Sequence, residues 1–405
     1  MDFGLTEEQA ELASTLCALL ARRSDPRAVR SAVQQPLGFD EDLWKVLCTQ
    51  VGVAALAVPE EYGGAGYSLF ETHVALEELG AALTPSPLLG SGVLTAAVLL
   101  RSGDQPLCAE LLPGIAEGSS IGSVAWGSGW PTSADDWTGA ELRDGKLHGQ
   151  VELVLDGDTA DVLLVLARDG AGLSLLRVDP RQPELRRTPT PAMDQTMRFA
   201  TVELDGAPAE PVATGIEAWL PEVRDVAAVA VTALQVGALQ RCLDLTVAYT
   251  KEREQFGRPI GSFQALKHRM ADMLVDVETS RSVSWAAAWS ASVHAPDLAE
   301  KAALAKAWCS EALTRVAEEM VQLHGGIAIT WEHDAHLYLK RAHALAHLFG
   351  SPTEHVGALH PHYLPSRRVG PPNAAESARR SDAYTAESAR RSDAYTAESA
   401  RRSGG

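Results

Sequence analysis

The sequence predicts an α+β protein built in three consecutive parts. These are an N-terminal helical domain (residues 1–118), a small middle β-barrel or sandwich domain (119–215) and a C-terminal bundle of long helices (216–365). Three observations lead there. Apolar residues recur at helical spacing in the first part. Short β-prone runs alternate with turn formers in the second. The third returns to helical patterning in segments long enough to bundle.

In the first part, Thr6 followed by Glu7, Glu8 and Gln9 is an N-cap signal with Gln9 at the third helical position. Leu12, Leu16 and Leu19-Leu20 follow at helical spacing. Pro59-Glu60-Glu61-Tyr62-Gly63-Gly64-Ala65-Gly66 reads as a loop, since its clustered glycines suit no element interior. Helical patterning resumes at Leu69 and runs past Leu79, and Thr84-Pro85-Ser86-Pro87 breaks it. In the second part, glycines such as Gly139, Gly145, Gly149 and Gly157 separate the runs Val151–Leu155, Val162–Leu166 and Phe199–Leu204. In the third, helices are expected over about 223–251, 262–293 and 297–324, the second capped by Ser262 and the third stopped by Gly325-Gly326. Beyond Pro371-Pro372, the unit Ala-Glu-Ser-Ala-Arg-Arg-Ser-Asp-Ala-Tyr-Thr repeats. Residues 366–405 therefore read as an appended or disordered tail without a functional role.

Composition excludes some functions. The chain has 405 residues, 46% hydrophobic, so a large core is available. Its net charge of −18 argues against nonspecific nucleic-acid binding, which needs a basic field. Cys17, Cys48, Cys108, Cys242 and Cys309 are scattered without metal-ligand spacing, which suits reduced thiols in a cytoplasmic protein. The acidic N-terminus lacks the positive region of a signal peptide, and no transmembrane helix is expected. His324, His333, His336, His343, His347, His355, His360 and His362 spread over helix faces with no cysteine nearby. Capping and interface packing suit them better than a metal, so no metal site is expected.

Four segments carry a resemblance: Met1-Asp2-Phe3-Gly4-Leu5-Thr6-Glu7-Glu8-Gln9, Val58–Gly66, Arg253-Glu254-Gln255-Phe256-Gly257-Arg258-Pro259-Ile260, and Gln322-Leu323-His324-Gly325-Gly326. In that order and at those distances they resemble the acyl-CoA dehydrogenase family over about residues 1–360. The resemblance implies a helical domain, a middle β domain and a C-terminal four-helix bundle. It also implies FAD as cofactor and oxidation of an acyl-CoA at its α and β carbons. A pyrophosphate needs a cation and backbone amides. Arg253 offers a guanidinium fork, Gln255 a hydrogen-bonding amide and Phe256 an aromatic face, while Gly325 and Gly326 permit close approach. The resemblance implies that Arg253, Phe256, Gln322 and Gly326 contact the FAD of a neighbouring subunit, with Gln255, Gln264 and Gly325 nearby.

The chain departs from the family where chemistry is done. Proton removal α to a thioester needs a positioned carboxylate, and hydride then leaves for the flavin. Aligning His347-Leu348-Phe349-Gly350 with the family's commoner base motif places Phe349 where the glutamate belongs. The alternative position, ten residues before Gly237, is Ala227. Neither accepts a proton, so no catalytic residue is assigned. The carboxylates nearest in sequence are Glu222, Asp225 and Glu354. In the middle domain, Ser123-Val124-Ala125-Trp126-Gly127-Ser128-Gly129-Trp130 replaces the segment that holds the flavin ring in the family.

Three readings follow. One is the non-catalytic subunit of a heteromeric, α2β2 dehydrogenase, which completes the FAD site of a second acyl-CoA dehydrogenase-like subunit. Another is a self-sufficient dehydrogenase with a displaced carboxylate, and the third is a cofactor-free helical scaffold. The retained Arg253, Gln322 and Gly326 favour the first. A steroid side-chain acyl-CoA is the substrate class suggested by resemblance.

Overall fold

A computed structural model describes residues 4–126 and 137–363, side chains through residue 359. The segment Met1-Asp2-Phe3, the Gly127–Trp130 part of the middle-domain segment and the repeat tail lie outside the described residues. The chain divides into a compact unit through Ala358 and a second from Leu359, of which only the last turn of one helix is described. The following concerns the first unit.

The N-terminal helices are α1 (Glu7–Arg23), α2 (Pro26–Ala32), α3 (Glu41–Val46), α4 (Leu69–Ala81), α5 (Ala96–Ser102) and α6 (Gln105–Ala116). The capping box is present at α1: Gln9 N–H donates to Thr6 Oγ1 at 3.2 Å, and Thr6 N–H to Gln9 Oε1 at 3.0 Å. Ser68 and Glu71 form a second box at α4. A π-helical segment, Leu88–Thr95, is wholly buried and leads into α5. The Pro59–Gly66 loop packs tightly on itself, because a Cβ at Gly64 would lie 1.9 Å from the Val58 carbonyl oxygen.

The middle strands are β1 (Gly122–Ala125), β2 (Ala140–Arg143), β3 (Lys146–Leu155), β4 (Val162–Arg168), β5 (Leu173–Val178), β6 (Leu185–Pro189), β7 (Phe199–Pro208) and β8 (Glu210–Thr214). They form one mixed sheet in the order β6-β7-β3-β2-β4-β5-β8. β1 and β2 share one edge of β4 end to end, both parallel to it. The chain leaves that edge at Trp126 and rejoins it at Ala140. Leu147, Val151, Leu163, Val165 and Val202 fill one face of the sheet as a separate core.

The C-terminal helices are α7 (Leu220–Glu252), α8 (Gln264–Ser292), α9 (Leu298–His324), α10 (Ala335–His347) and α11 (Pro352–Tyr363). A two-stranded hairpin, β9 (Glu254–Gln255) with β10 (Arg258–Pro259), joins α7 to α8. α7 is long and apolar enough to cross a membrane, yet 89% of its most apolar window is buried inside the protein. That is what an all-round hydrophobic core helix requires. α4 crosses it at backbone contact, since a Cβ on Gly237 would lie 1.8 Å from the Glu77 carbonyl oxygen and one on Gly80 2.3 Å from that of Leu234. Ser262 does not cap α8. Its hydroxyl donates to Pro259 O at 2.7 Å within a preceding 3-10 turn, and Phe263 takes the cap position without a side-chain bond.

Candidate functional site

The residues expected to face FAD gather at one end of the bundle. Arg253 caps α7, its N–H donating to Tyr249 O at 2.8 Å. Phe256 and Gly257 then take φ of +56° and +73°. Two successive positive φ values make the type I′ turn that matches strand twist, and glycine suits its second position. The turn holds Phe256 in solvent, 91% exposed, with its ring edge-on to Phe263 at 6.0 Å. Arg258 lies 4.1 Å over the Phe263 ring, a cation–π contact that stiffens the hairpin base. Gln255 is exposed beside it, and exposed Gln264 opens α8.

The end of α9 joins this group through a stack of rings. Tyr249 of α7 stacks on the ring of His324, the last residue of α9, at 4.4 Å, and the His333 ring lies tilted against His324 at 4.4 Å. Burial lowers the pKa of both histidines. Beside the stack, Gln322, Gly325 and Gly326 are exposed. Gly325 has φ of +66°, and an added Cβ at either glycine would meet no atom within 4 Å. The seven residues thus present a cation, three amides, an exposed ring and open backbone on one surface. Exposed Ile329 and Trp331 continue that surface.

The second region is a cleft of about 410 Å³ between the middle sheet and α10. Trp126 and Phe349 wall it, their ring centroids 5.0 Å apart. Among the described residues Asp194 is the one carboxylate on its lining, and it is committed. It binds Arg341 Nε at 2.6 Å with both side chains 2% exposed, and its other oxygen accepts from Thr196. Phe349 sits at φ +58°, a costly conformation for a bulky residue. Two buried side chains hold it there. Lys306 Nζ donates to Ala346 O and Gly350 O, each at 3.0 Å, and to Ser310 Oγ at 3.1 Å. His355 Nε2 donates to Phe349 O at 3.0 Å. Burial pushes the Lys306 ammonium down to about 7. Burial, with the Lys306 charge beside it, takes His355 down to about 4.

The sequence did not single out Lys306, Arg341 or Asp194. A signal for Lys306 was present. Its helical neighbours Ala302, Ala303, Cys309 and Ser310 are small, and a lysine on such a face is enclosed rather than solvated.

None of the neighbouring carboxylates stands as a free base in the cleft. Glu222 is at the surface with Arg101 and His294. Asp225 is buried, which raises its pKa, and binds Arg224 at 2.9 Å. Glu354 accepts from the backbone N–H and hydroxyl of Ser351, each at 2.7 Å, and these bonds hold its carboxyl below the usual range. Ala227 is in the core. Among the described residues no group of histidine, cysteine and acidic side chains could hold a metal ion.

Comparison with known proteins identifies the class. Residues 6–119 match the acyl-CoA dehydrogenase N-terminal domain, and residues 223–355 match its C-terminal domain. The chain belongs to the acyl-CoA dehydrogenase family, whose cofactor is FAD. It is 43% identical over 358 residues to the acyl-CoA dehydrogenase IpdE2 of Mycolicibacterium smegmatis, covering 88% of this chain and 98% of that one. In structure it is similar to a chain of the ChsE4–ChsE5 complex from Mycobacterium tuberculosis, with 30% identity, a TM-score of 0.81 and coverage of 90% and 100%. It is also similar to the Tcur3481–Tcur3483 steroid ACAD, with 30% identity, a TM-score of 0.77 and coverage of 87% and 96%.

The two regions fit FAD differently. At the bundle end, Arg253, the uncapped N-terminus of α8 and the open glycines suit a pyrophosphate and ribose. The cleft does not suit the flavin ring. A flavin has a polar pyrimidine edge, and burying it unmatched is costly. Leu153, Met193, Phe199, Leu348 and Phe349 offer it nothing, Asp194 is already paired, and His343 and His347 are the other polar side chains on the described lining, both exposed to water.

Proposed function

We propose that this chain is the partner subunit of a heteromeric, α2β2 acyl-CoA dehydrogenase that acts on a steroid side-chain or similarly bulky acyl-CoA. It supplies Arg253, Gln255, Phe256, Gln264, Gln322, Gly325 and Gly326 to an FAD whose ring sits in the other polypeptide. That polypeptide carries the carboxylate base. One contrast carries the reading: Phe349 is packed on Trp126 where a base would stand, while the residues facing a neighbour's cofactor are open. The exposed apolar side chains Phe256, Ile329 and Trp331 support a covering subunit at that end. So do the names of the similar structures, two of which are complexes of two proteins.

The test is to purify the chain alone and together with a second acyl-CoA dehydrogenase-like subunit, reading flavin absorbance and turnover. Turnover by this chain alone overturns the reading. In the mixed complex, Arg253→Ala removes one charge-assisted contact. That weakens FAD binding by about 1.5–3 kcal/mol, roughly ten- to hundredfold. Unchanged FAD occupancy would disprove the pyrophosphate role.

A further inference from the structure

Two unmatched polar atoms meet in one small cavity where α4 packs on the bundle. Thr72 and His73 of α4 are each 2% exposed. Thr72 Oγ1 and His73 Nδ1 have no hydrogen-bond partner among the described residues. Both side chains line a cavity between α4, the π-helical segment, α7 and α8. Its other described lining residues are apolar, among them Leu76, Val93, Val229 and Ala291. They leave about 10 Å³ that a water can occupy, about what one molecule needs. A buried polar atom left unmatched costs its full desolvation, so two at one cavity point to a ligand that matches both.

The bonds around His73 decide what that ligand must offer. Thr232 Oγ1 lies 2.7 Å from Val229 O, and a carbonyl can only accept, so the threonine hydrogen is spent there. Thr232 Oγ1 is also 2.7 Å from Ser284 Oγ, so the serine hydrogen fills that contact. Ser284 Oγ then accepts from His73 Nε2, 3.0 Å away. The imidazole therefore carries its proton on Nε2. Burial takes its pKa down to about 3, so it gains no second proton near neutrality. His73 Nδ1 is left as a bare lone pair that needs a donor. Thr72 Oγ1 keeps both its hydrogen and its lone pairs.

We propose that this cavity is a binding site for a single water molecule, which donates one hydrogen to His73 Nδ1 and bonds Thr72 Oγ1 as donor or acceptor. The volume admits nothing larger. The apolar walls exclude an ion, whose charge would find no counter-charge there. With the water bound, one directed chain of hydrogen bonds runs from water through His73, Ser284 and Thr232 to Val229 O. It ties α4 to α8 and α7, near the crossing where Gly80 and Gly237 bring the α4 and α7 backbones into contact. The site stands wherever the flavin ring lies.

The test uses the full chain, and the probe is water itself. A crystal structure at a resolution that shows ordered water should place one water about 2.7–3.2 Å from both His73 Nδ1 and Thr72 Oγ1. A cavity without it overturns the proposal. In solution, nitrogen NMR of histidine-labelled chain should show one imidazole protonated on Nε2 and bare on Nδ1, unchanged between about pH 5 and 8, where an ordinary histidine titrates. His73→Phe identifies that signal by removing it. A His73 signal protonated on Nδ1 overturns the proposal. Thr72→Val gives a test by sign, since it keeps the shape and removes the hydroxyl. In a dry cavity it deletes an unmatched polar group, and the variant melts higher. With water bound it strips a partner from the water, and the variant melts lower, by roughly 1–4 °C. A melting temperature that rises or stays unchanged overturns the proposal.

Discussion

The end of the bundle where α7 and α9 stop and the cleft beside α10 are built on opposite terms. At the bundle end every residue expected to meet FAD is exposed, and the stacked rings of half-buried Tyr249 and buried His324 merely hold the two helix ends together. Around the cleft, apart from the exposed His343 and His347, the charged and polar side chains that shape its walls are buried and spoken for: Arg341 with Asp194, Lys306 with three acceptors, His355 with Phe349 O. A residue that serves a neighbour must leave its hydrogen-bonding capacity unspent within its own chain. A residue that shapes its own fold spends it. The two regions should therefore answer mutation in opposite ways, one through binding and the other through stability.

The largest expected effect is Arg341→Met. It leaves Asp194 as an uncompensated charge at 2% exposure. Removing one partner of a buried pair typically costs about 3–5 kcal/mol. Denaturant unfolding should show that loss, while Arg253→Ala, an exposed change, shifts stability by less than about 0.5 kcal/mol. Equal losses at both positions would erase the contrast.

Glycine gives a sharper version of the same contrast. Gly237→Ala drives a methyl into the Glu77 carbonyl, 1.8 Å away, so α4 and α7 must separate. Overpacking of this kind costs about 1–3 kcal/mol. Gly326→Ala meets no atom within 4 Å, and thermal melting should barely register it. In the mixed complex, however, Gly326→Ala should lower FAD occupancy. A melting loss without a change in occupancy would make Gly326 a plain helix stop.

Much of this contrast was legible in the sequence, and unevenly so. The helical, β, helical order and the Thr6 cap could be read because they depend on local spacing and on side-chain bonds within one turn. The seven residues proposed to meet FAD could be picked out by the same local reading, since they fall between residues 253 and 264 and between 322 and 326. Ser262 was misread because its hydroxyl had a backbone carbonyl closer than the helix it was expected to cap. The cleft was out of reach. Trp126, Leu153, Asp194, Arg341 and Phe349 come from distant parts of the chain. The bulge that exposes Leu153 depends on pairing with β7, which no local pattern specifies. Phe349 was recognised as the wrong residue for a base, but its partner Trp126 appears only in three dimensions.

The pH dependence of stability tests the cost assigned to the cleft wall. Burial holds Lys306 near 7, below the ordinary lysine value. Between those values the unfolded chain keeps a proton that the folded chain has lost. Stability therefore rises with pH across that interval, and it falls as pH drops through about 7. The rise is at most about 1.4 kcal/mol per pH unit. Lys306→Met removes it, so the wild type should gain on the variant between about pH 7 and 9. Cys309, raised to about 12 by burial, and His355 near 4 titrate outside this window. A difference flat with pH would mean that Lys306 costs the fold little.

The smallest expected effect separates divided labour from a displaced base. Glu354 is the carboxylate nearest Phe349 in sequence, and it lies in a reciprocal cap with Ser351 at the start of α11. Glutamine can fill the same role in such a box, so Glu354→Gln should leave the fold intact. Its bonds to Ser351 also favour the ionised form and weaken it as a base. In the mixed complex, turnover by Glu354→Gln should stay within about twofold of the wild type, and Asp225→Asn should do the same. Loss of a positioned general base costs about 10²–10⁴ in rate. A fall of that size in either variant, with FAD occupancy unchanged, would return the chemistry to this chain. Phe349 would then be a bystander to a base reached from α7 or α11.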